Sequence, residues 1–244
     1  MKIGREQRRA FGEGLTARRM PWLRLSLSMI VGWLGTVGCV FTENAFAQAA
    51  DLSPTIRVRV YNYVKASPPM LARVEREAGR ILGEAGLRMV WLDCPMEHFG
   101  GVHIEQNPCL EPLEATDIVL RVLSEATQNK FQDTVFGFAV VPIFATVYYD
   151  YAVRAGKRDN AEFEVPVILG CVIAHELGHL LLGSNSHSNS GVMQPRWERK
   201  QVRQAMTNTL LFTPEQSKLI QAEGQKRIKL QTASLKKQHM RTAD

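Results

Sequence analysis

The sequence has no internal repeat, no Gly-, Ser- or Pro-rich linker and no large surplus of charge in its body. The first two absences exclude a repeat array and leave one domain as the economical reading. Hydrophobic residues make up 45% of the 244 residues and charged residues 22%, so a disordered or collagen-like chain is excluded as well. The net charge is +6, but residues 1–47 hold seven basic side chains (Lys2, Arg5, Arg8, Arg9, Arg18, Arg19, Arg24) against three acidic ones (Glu6, Glu13, Glu43). That segment carries +4 and the rest of the chain only +2, which removes the electrostatic reason to expect DNA or RNA as a partner.

The basic surplus has another explanation. A basic stretch ending at Arg24 runs into the apolar residues 25–41, and small residues follow as Ala45-Phe46-Ala47 and Ala47-Gln48-Ala49. This order is that of a secretory signal peptide, assigned to residues 1–49. A retained anchor is the alternative, because the run is near the lower length limit for a spanning helix. Lipid attachment at Cys39 is disfavoured by Thr36, where Leu is usual. The expectation is therefore a mature domain over residues 50–244, secreted or periplasmic, monomeric and without lasting membrane association once the signal is cleaved.

Cysteine is scarce, with four in all. Cys94 and Cys109 bracket a Pro- and Gly-containing stretch, and an oxidising compartment would let them form a disulfide. Cys171 lies in a helical apolar run and reads as a small buried hydrophobe. His98 and His103 fall inside the cysteine loop and read as surface residues.

Residues 55–64 alternate apolar and polar side chains, as a half-buried strand does. Ser67-Pro68 then starts a helix whose apolar positions (Met70, Leu71, Val74, Ala78, Ile81, Leu82) recur at helical spacing until Gly86. With a strand over residues 87–92 this makes a βαβ unit. A third strand is expected over residues 117–123, and residues 135–149 should give two short strands or one bent edge strand, because Gly137 and Pro142 interrupt them. From about Phe163 the period becomes helical and apolar on most sides until Gly183. Residues 184–195 read as a loop, a capping box at Thr213 and Gln216 starts a later helix, and residues 225–244 read as a solvated tail.

The informative segment is His175-Glu176-Leu177-Gly178-His179. On a helix, residues four apart share a face, so the two imidazoles can converge on one cation while Glu176 reaches a water on it. Three polar residues in an apolar run would also carry a desolvation cost of about a few kcal/mol unless a metal satisfied them. Catalytic zinc takes three protein ligands and keeps a fourth position for water. His187, in the loop after Gly183, and Glu198, further along the chain, both qualify as the third ligand.

The segment resembles the metzincin zinc endopeptidases, particularly the matrixin pattern HExxHxxGxxHS followed by a Met-Tyr-Pro turn. The residues that carry the resemblance are His175 to His179, Gly183, His187-Ser188 and Val192-Met193-Gln194-Pro195. It implies zinc bound by His175, His179 and His187, Glu176 as general base toward the zinc-bound water, Met193 beneath the metal, and a peptide or protein substrate. It also implies an α+β fold: a mixed, twisted sheet of four or five strands packed on an N-terminal helix and the active-site helix, with a C-terminal helix after the Met-turn. Departures exist. Gly183 falls one residue late and His187 two residues late, Gln194 replaces the aromatic, and no Tyr follows Tyr151. The matrixin cysteine switch is missing, so latency of that kind is not expected. Trp197 is expected to pack against the Met-turn. A gluzincin-type peptidase using Glu198, and a zinc-binding envelope or interaction protein without turnover, are the alternative readings.

Overall fold

A computed structural model describes residues 53–95, 107–124 and 135–242. The signal sequence, its cleavage site, Cys39, His98 and His103 lie outside the described residues. The elements, in chain order, are β1 (Thr55–Asn62), α1 (Pro68–Glu84), β2 (Arg88–Cys94), β3 (Asp117–Leu123), β4 (Gly137–Val140), β5 (Phe144–Tyr148), α2 (Tyr149–Arg158), α3 (Val165–Leu182), α4 (Arg199–Met206) and α5 (Pro214–Thr242). A single 3-10 turn, Glu162–Glu164, leads into α3.

The five strands form one mixed sheet in the order β2-β1-β3-β5-β4. β1 pairs in parallel with β2 and β3, and β3 with β5, as crossover connections through helices require. β4 turns back antiparallel to β5 and is the edge strand on that side, because Pro142 and its neighbours allow only a short return. The alternation in β1 places Ile56, Val58 and Val60 in one buried row, beside Ile118, Leu120 and Val122 of β3. These side chains form one core with Val74 and Ile81 of α1 and Ile168 and Val172 of α3. Burying each such side chain contributes about 1.5–3 kcal/mol relative to leaving it in water.

The opposite row of β1 differs from the half-buried strand expected. Arg59 is only 2% exposed and pairs with the fully buried Asp117 at 2.7 Å. Its guanidinium also donates to the carbonyls of Cys109 (3.2 Å), Glu111 (2.6 Å) and Pro112 (3.1 Å). The chain after Cys109 thus crosses the outer face as a strap, and the disulfide Cys94–Cys109 ties it to the end of β2. Alternation shows which residues share a face, but it carries no information on a distant loop that covers that face.

α3, with the turn before it, is apolar and long enough over Glu162–Leu182 to cross a membrane, yet 83% of its most apolar 18-residue window is buried inside the protein, so it is the central core helix. Two helices were not foreseen. α2 buries Tyr151, Ala152, Ala155 and Gly156 at helical spacing, but its Tyr and Val content continues a strand-like composition. α4 is short and polar, with Gln201, Val202 and Ala205 its buried positions. The solvated tail is corrected in its first part. Arg227 is buried and donates to the carbonyls of Pro142 (2.7 Å) and Leu180 (3.2 Å). Gln231 bonds Thr116 and Glu114 at the entry to β3.

Candidate metal centre

α3 buries sixteen of its eighteen residues, and three of the sixteen are His175, Glu176 and His179. Because residues four apart lie one above the other on a helix, the two imidazoles meet, with Nε2 atoms 3.2 Å apart. His175 Nδ1 lies 2.8 Å from the carbonyl of Val192, which can only accept, so this nitrogen carries the proton and Nε2 presents a bare lone pair. His179 Nδ1 is held by Ser186 Oγ at 3.0 Å, which frees its Nε2 in the same way when it donates.

The third imidazole arrives by a sharp change of direction. Gly183 ends α3 with φ 99°, a conformation that favours glycine, while its N–H closes the last turn on the His179 carbonyl at 3.0 Å. The chain then returns over the helix end and sets the His187 ring 4.8 Å from that of His179 and 5.4 Å from that of His175. One ligand nitrogen from each histidine falls within 4.8 Å of the others. Of the two residues by which His187 is displaced relative to the matrixin spacing, one lengthens the helix before Gly183 and one widens this loop, where Ser186 braces His179.

Burial pushes the His175 pKa down to about 3, with the neighbouring imidazoles adding to the effect. Burial also holds His179 and His187 below the ordinary histidine value. All three are therefore neutral near pH 7 and offer lone pairs. With His179 in the tautomer that donates its Nδ1–H to Ser186, two bare lone pairs stand 3.2 Å apart, and a cation among them relieves their repulsion. Zinc with ligand nitrogens at about 2.0–2.1 Å and tetrahedral angles sets those nitrogens ~3.3 Å apart, close to the separation found. Three imidazoles without a thiolate are a zinc donor set that leaves one position open.

Glu176 projects from the same turn, and burial pushes its carboxyl up to about 8. That raises its strength as a base, and a dication nearby would act in the opposite direction. Beneath the histidines, Val192 and Met193 are fully buried, with Val192 N–H on Leu211 O (2.8 Å) and Ser188 N–H on Met193 O (3.0 Å). Gly178 allows this packing: a Cβ there would stand 2.5 Å from Met193 Sδ and 2.9 Å from Phe212.

The site opens into a cleft of about 310 Å³, walled by residues 135–139 on one side and by Ser184, His187, Pro195 and Arg196 on the other. Trp197 is buried with its ring 4.7 Å from Phe136 and 6.1 Å from His175, so it buttresses the cleft wall. Glu198 is not brought to the histidines. It is the exposed N-cap of α4, in a reciprocal capping box with Gln201, whose Oε1 accepts the Glu198 N–H at 2.9 Å. Its carboxylate serves the helix terminus, and the third donor that this fold assembles is His187. Cys171, one turn before His175, is buried, and burial together with the Glu77 charge pushes its thiol well up, which makes it a poor nucleophile.

No family model and no curated protein matches the chain. Among solved structures it is similar to a zinc-dependent peptidase from Methanocorpusculum labreanum, with 14% identity, a TM-score of 0.45, and coverage of 67% of this chain and 99% of that one. It is also similar to an archaemetzincin from Methanopyrus kandleri, with 19% identity, a TM-score of 0.42, and coverage of 70% and 97%.

Two supporting residues escaped the sequence reading. Ser186 has no signal beyond its loop composition. Gln216 does have one, the capping box of α5, which the structure shows in both directions: Thr213 N–H to Gln216 Oε1 at 3.0 Å and Gln216 N–H to Thr213 Oγ1 at 3.3 Å. The other end of the same amide donates to Ser188 Oγ at 3.1 Å and to the Ser186 carbonyl at 3.5 Å. It thereby grips the loop on both sides of His187.

Proposed function

We propose that this protein is an exported, metzincin-like zinc metallopeptidase in which His175, His179 and His187 hold the metal and Glu176 is the general base. The observation that carries the reading is three neutral imidazoles converging at the floor of an open cleft, with a buried carboxylate beside them. A purely structural zinc site is closed by four protein ligands and has no use for a base. The Met-turn beneath the histidines and the antiparallel edge strand beside them support the metzincin-like form of the reading. The Cys94–Cys109 disulfide, which persists in oxidising compartments, supports export.

Bound zinc supplies a Lewis acid that polarises the scissile carbonyl and makes water a competent nucleophile near neutral pH. Glu176 accepts the proton that the water gives up as it attacks, and returns it to the leaving nitrogen. The Nδ1 bonds of His175 to Val192 and of His179 to Ser186 keep both rings oriented throughout. β4 pairs with β5 on one side and lines the cleft with Gly137, Phe138 and Ala139, so a substrate peptide can add to its open edge as a further strand. Main-chain pairing of that kind fixes an extended peptide without requiring a particular side chain.

The test is zinc content, by elemental analysis, of the wild type, His187→Ala and Glu198→Ala, with peptide-library hydrolysis read by mass spectrometry. One zinc per chain, lost with His187→Ala and kept with Glu198→Ala, together with cleavage by the wild type, is the expected result. A wild type without zinc sinks the reading.

A further inference from the structure

Arg196, Glu198 and Arg199 are the first three charged residues after the Met-turn proline, and two of them have structural work. Glu198 caps α4, and Arg199 pairs with Asp159 at 3.4 Å. Arg196 has none: it is exposed, lines the cleft, and meets no hydrogen-bond or ion-pair partner among the described residues. Its backbone is nevertheless fixed on both sides. Pro195 restricts the chain before it, and Trp197 after it is buried against Phe136. The guanidinium is thus a permanent cation on a rigid anchor at the mouth of the cleft.

Among the described lining residues no carboxylate pairs with that charge. Phe136 and Phe138 make one wall apolar, and the imidazoles gather on the floor. Glu176 is the one acid among the described lining residues, and it is buried beside the histidines. A cleft of about 310 Å³ holds only a few side chains, so a group on its rim reaches the residues adjoining a bond cleaved at its floor. We propose that Arg196 is a specificity residue that binds a carboxylate of the substrate next to the scissile bond. The inference rests on the peptidase reading and names its substrate class: peptides with an acidic group at that place. Guanidinium presents paired N–H donors that match both oxygens of a carboxylate, which a lysine cannot do in the same geometry. The carboxylate can be an Asp or Glu side chain or the free end of a peptide.

The test separates these two sources. Peptides differing only as Glu or Gln at each position around the cleaved bond, each with a free or an amidated C-terminus, are presented to the zinc-loaded wild type and to Arg196→Ala, Arg196→Lys and Arg196→Glu. The ratio of kcat/KM within each pair is the readout. The same ratio is taken as binding affinity, by fluorescence anisotropy, on Glu176→Gln with and without Arg196→Ala, so that it does not require turnover. The expected preference in the wild type is about tenfold for the charged member, the size of one partly desolvated charge-assisted bond. It shrinks as salt is raised, falls toward one in Arg196→Ala, survives in part in Arg196→Lys and inverts in Arg196→Glu. Preference for Glu over Gln identifies a side-chain carboxylate, and preference for the free over the amidated end identifies a chain terminus. A preference that persists in Arg196→Ala, or a wild-type binding ratio of one, overturns the assignment. A wild type that binds the charged member selectively yet cleaves nothing sinks the peptidase reading while leaving Arg196 its ligand.

Discussion

The two faces of the sheet each bury a polar cluster, and the clusters are built on opposite principles. On the outer face the terminal nitrogens of Arg59 meet four oxygens, those of Cys109, Glu111, Pro112 and Asp117, all within 3.2 Å. The terminal nitrogens are matched by acceptors, and Nε alone is left without a partner among the described residues. On the inner side His175, His179 and His187 gather their ring nitrogens, 3.2 Å apart at the closest pair, and together offer a cation three donors. A guanidinium ringed by carbonyl and carboxylate oxygens makes the first arrangement structural, and three converging imidazoles make the second a metal donor set.

That contrast can be broken most forcefully at the base. Glu176→Gln keeps shape and burial and should leave zinc content at one per chain while lowering kcat/KM by about a hundred- to ten-thousandfold. Elemental analysis and peptide hydrolysis on the same preparation check both halves of the statement. On the other face Asp117→Asn removes the negative charge shared by two arginines, Arg57 at 2.6 Å and Arg59 at 2.7 Å, and turns one of its two accepting oxygens into a donor. Breaking a buried pair of this kind costs about 3–5 kcal/mol, to be read by urea denaturation, with zinc stoichiometry of the folded fraction unchanged.

The same aspartate sets an acid limit. Burial alone would push its carboxyl up, but the hydrogen bond from Arg57, the Glu114 N–H and the two guanidinium charges outweigh burial and hold it below the usual carboxylate range. A pKa depressed in the folded state adds stability that is complete above the unfolded value of about 3.9 and is lost as pH falls through the folded one. Denaturation midpoints of the wild type should drop on that acid limb, and Asp117→Asn should flatten it.

Gln216→Ala sharpens the comparison from the ligand side, since it loosens the His187 loop without touching a donor. Zinc affinity should weaken about 10- to 100-fold, measured by competition with a chelator, and Gln216→Glu, which keeps the acceptor for Thr213 N–H but lacks the N–H donor, should weaken it as well. The smallest effect is expected at Glu75, whose carboxyl is pushed up to about 8 by burial and by Asp93. A folded-state pKa raised in this way costs stability as pH climbs from the unfolded value of about 4.3 toward 8. Glu75→Gln should remove that slope in thermal denaturation measured across the range.

What the chain declares locally was legible. β3 is found over Asp117–Leu123 as expected, β1, α1 and β2 form the expected parallel unit, and the bend at Pro142 does separate two short strands. The paired histidines announced themselves because helical geometry alone brings residues four apart together. What escaped is long-range. The strap over Arg59 joins residues about fifty positions apart, and the grip of Gln216 on Ser188 spans 28. Arg227 looked like one more tail charge because nothing beside it in sequence reveals the carbonyls of Pro142 and Leu180. α2 was hidden by strand-like composition, and α4 by having too few apolar positions to show a period.

The Gln216 amide also makes two properties of the molecule inseparable. One end closes the first turn of the last helix, and the other steadies the loop that brings in the third imidazole. Where one bond belongs to both, thermodynamic reciprocity requires each to strengthen the other by the same factor. An ion captured on the floor of the cleft tightens the docking of a helix that runs on to the far end of the sheet. A ligand or neighbour that draws that helix away must, to the same degree, loosen the ion.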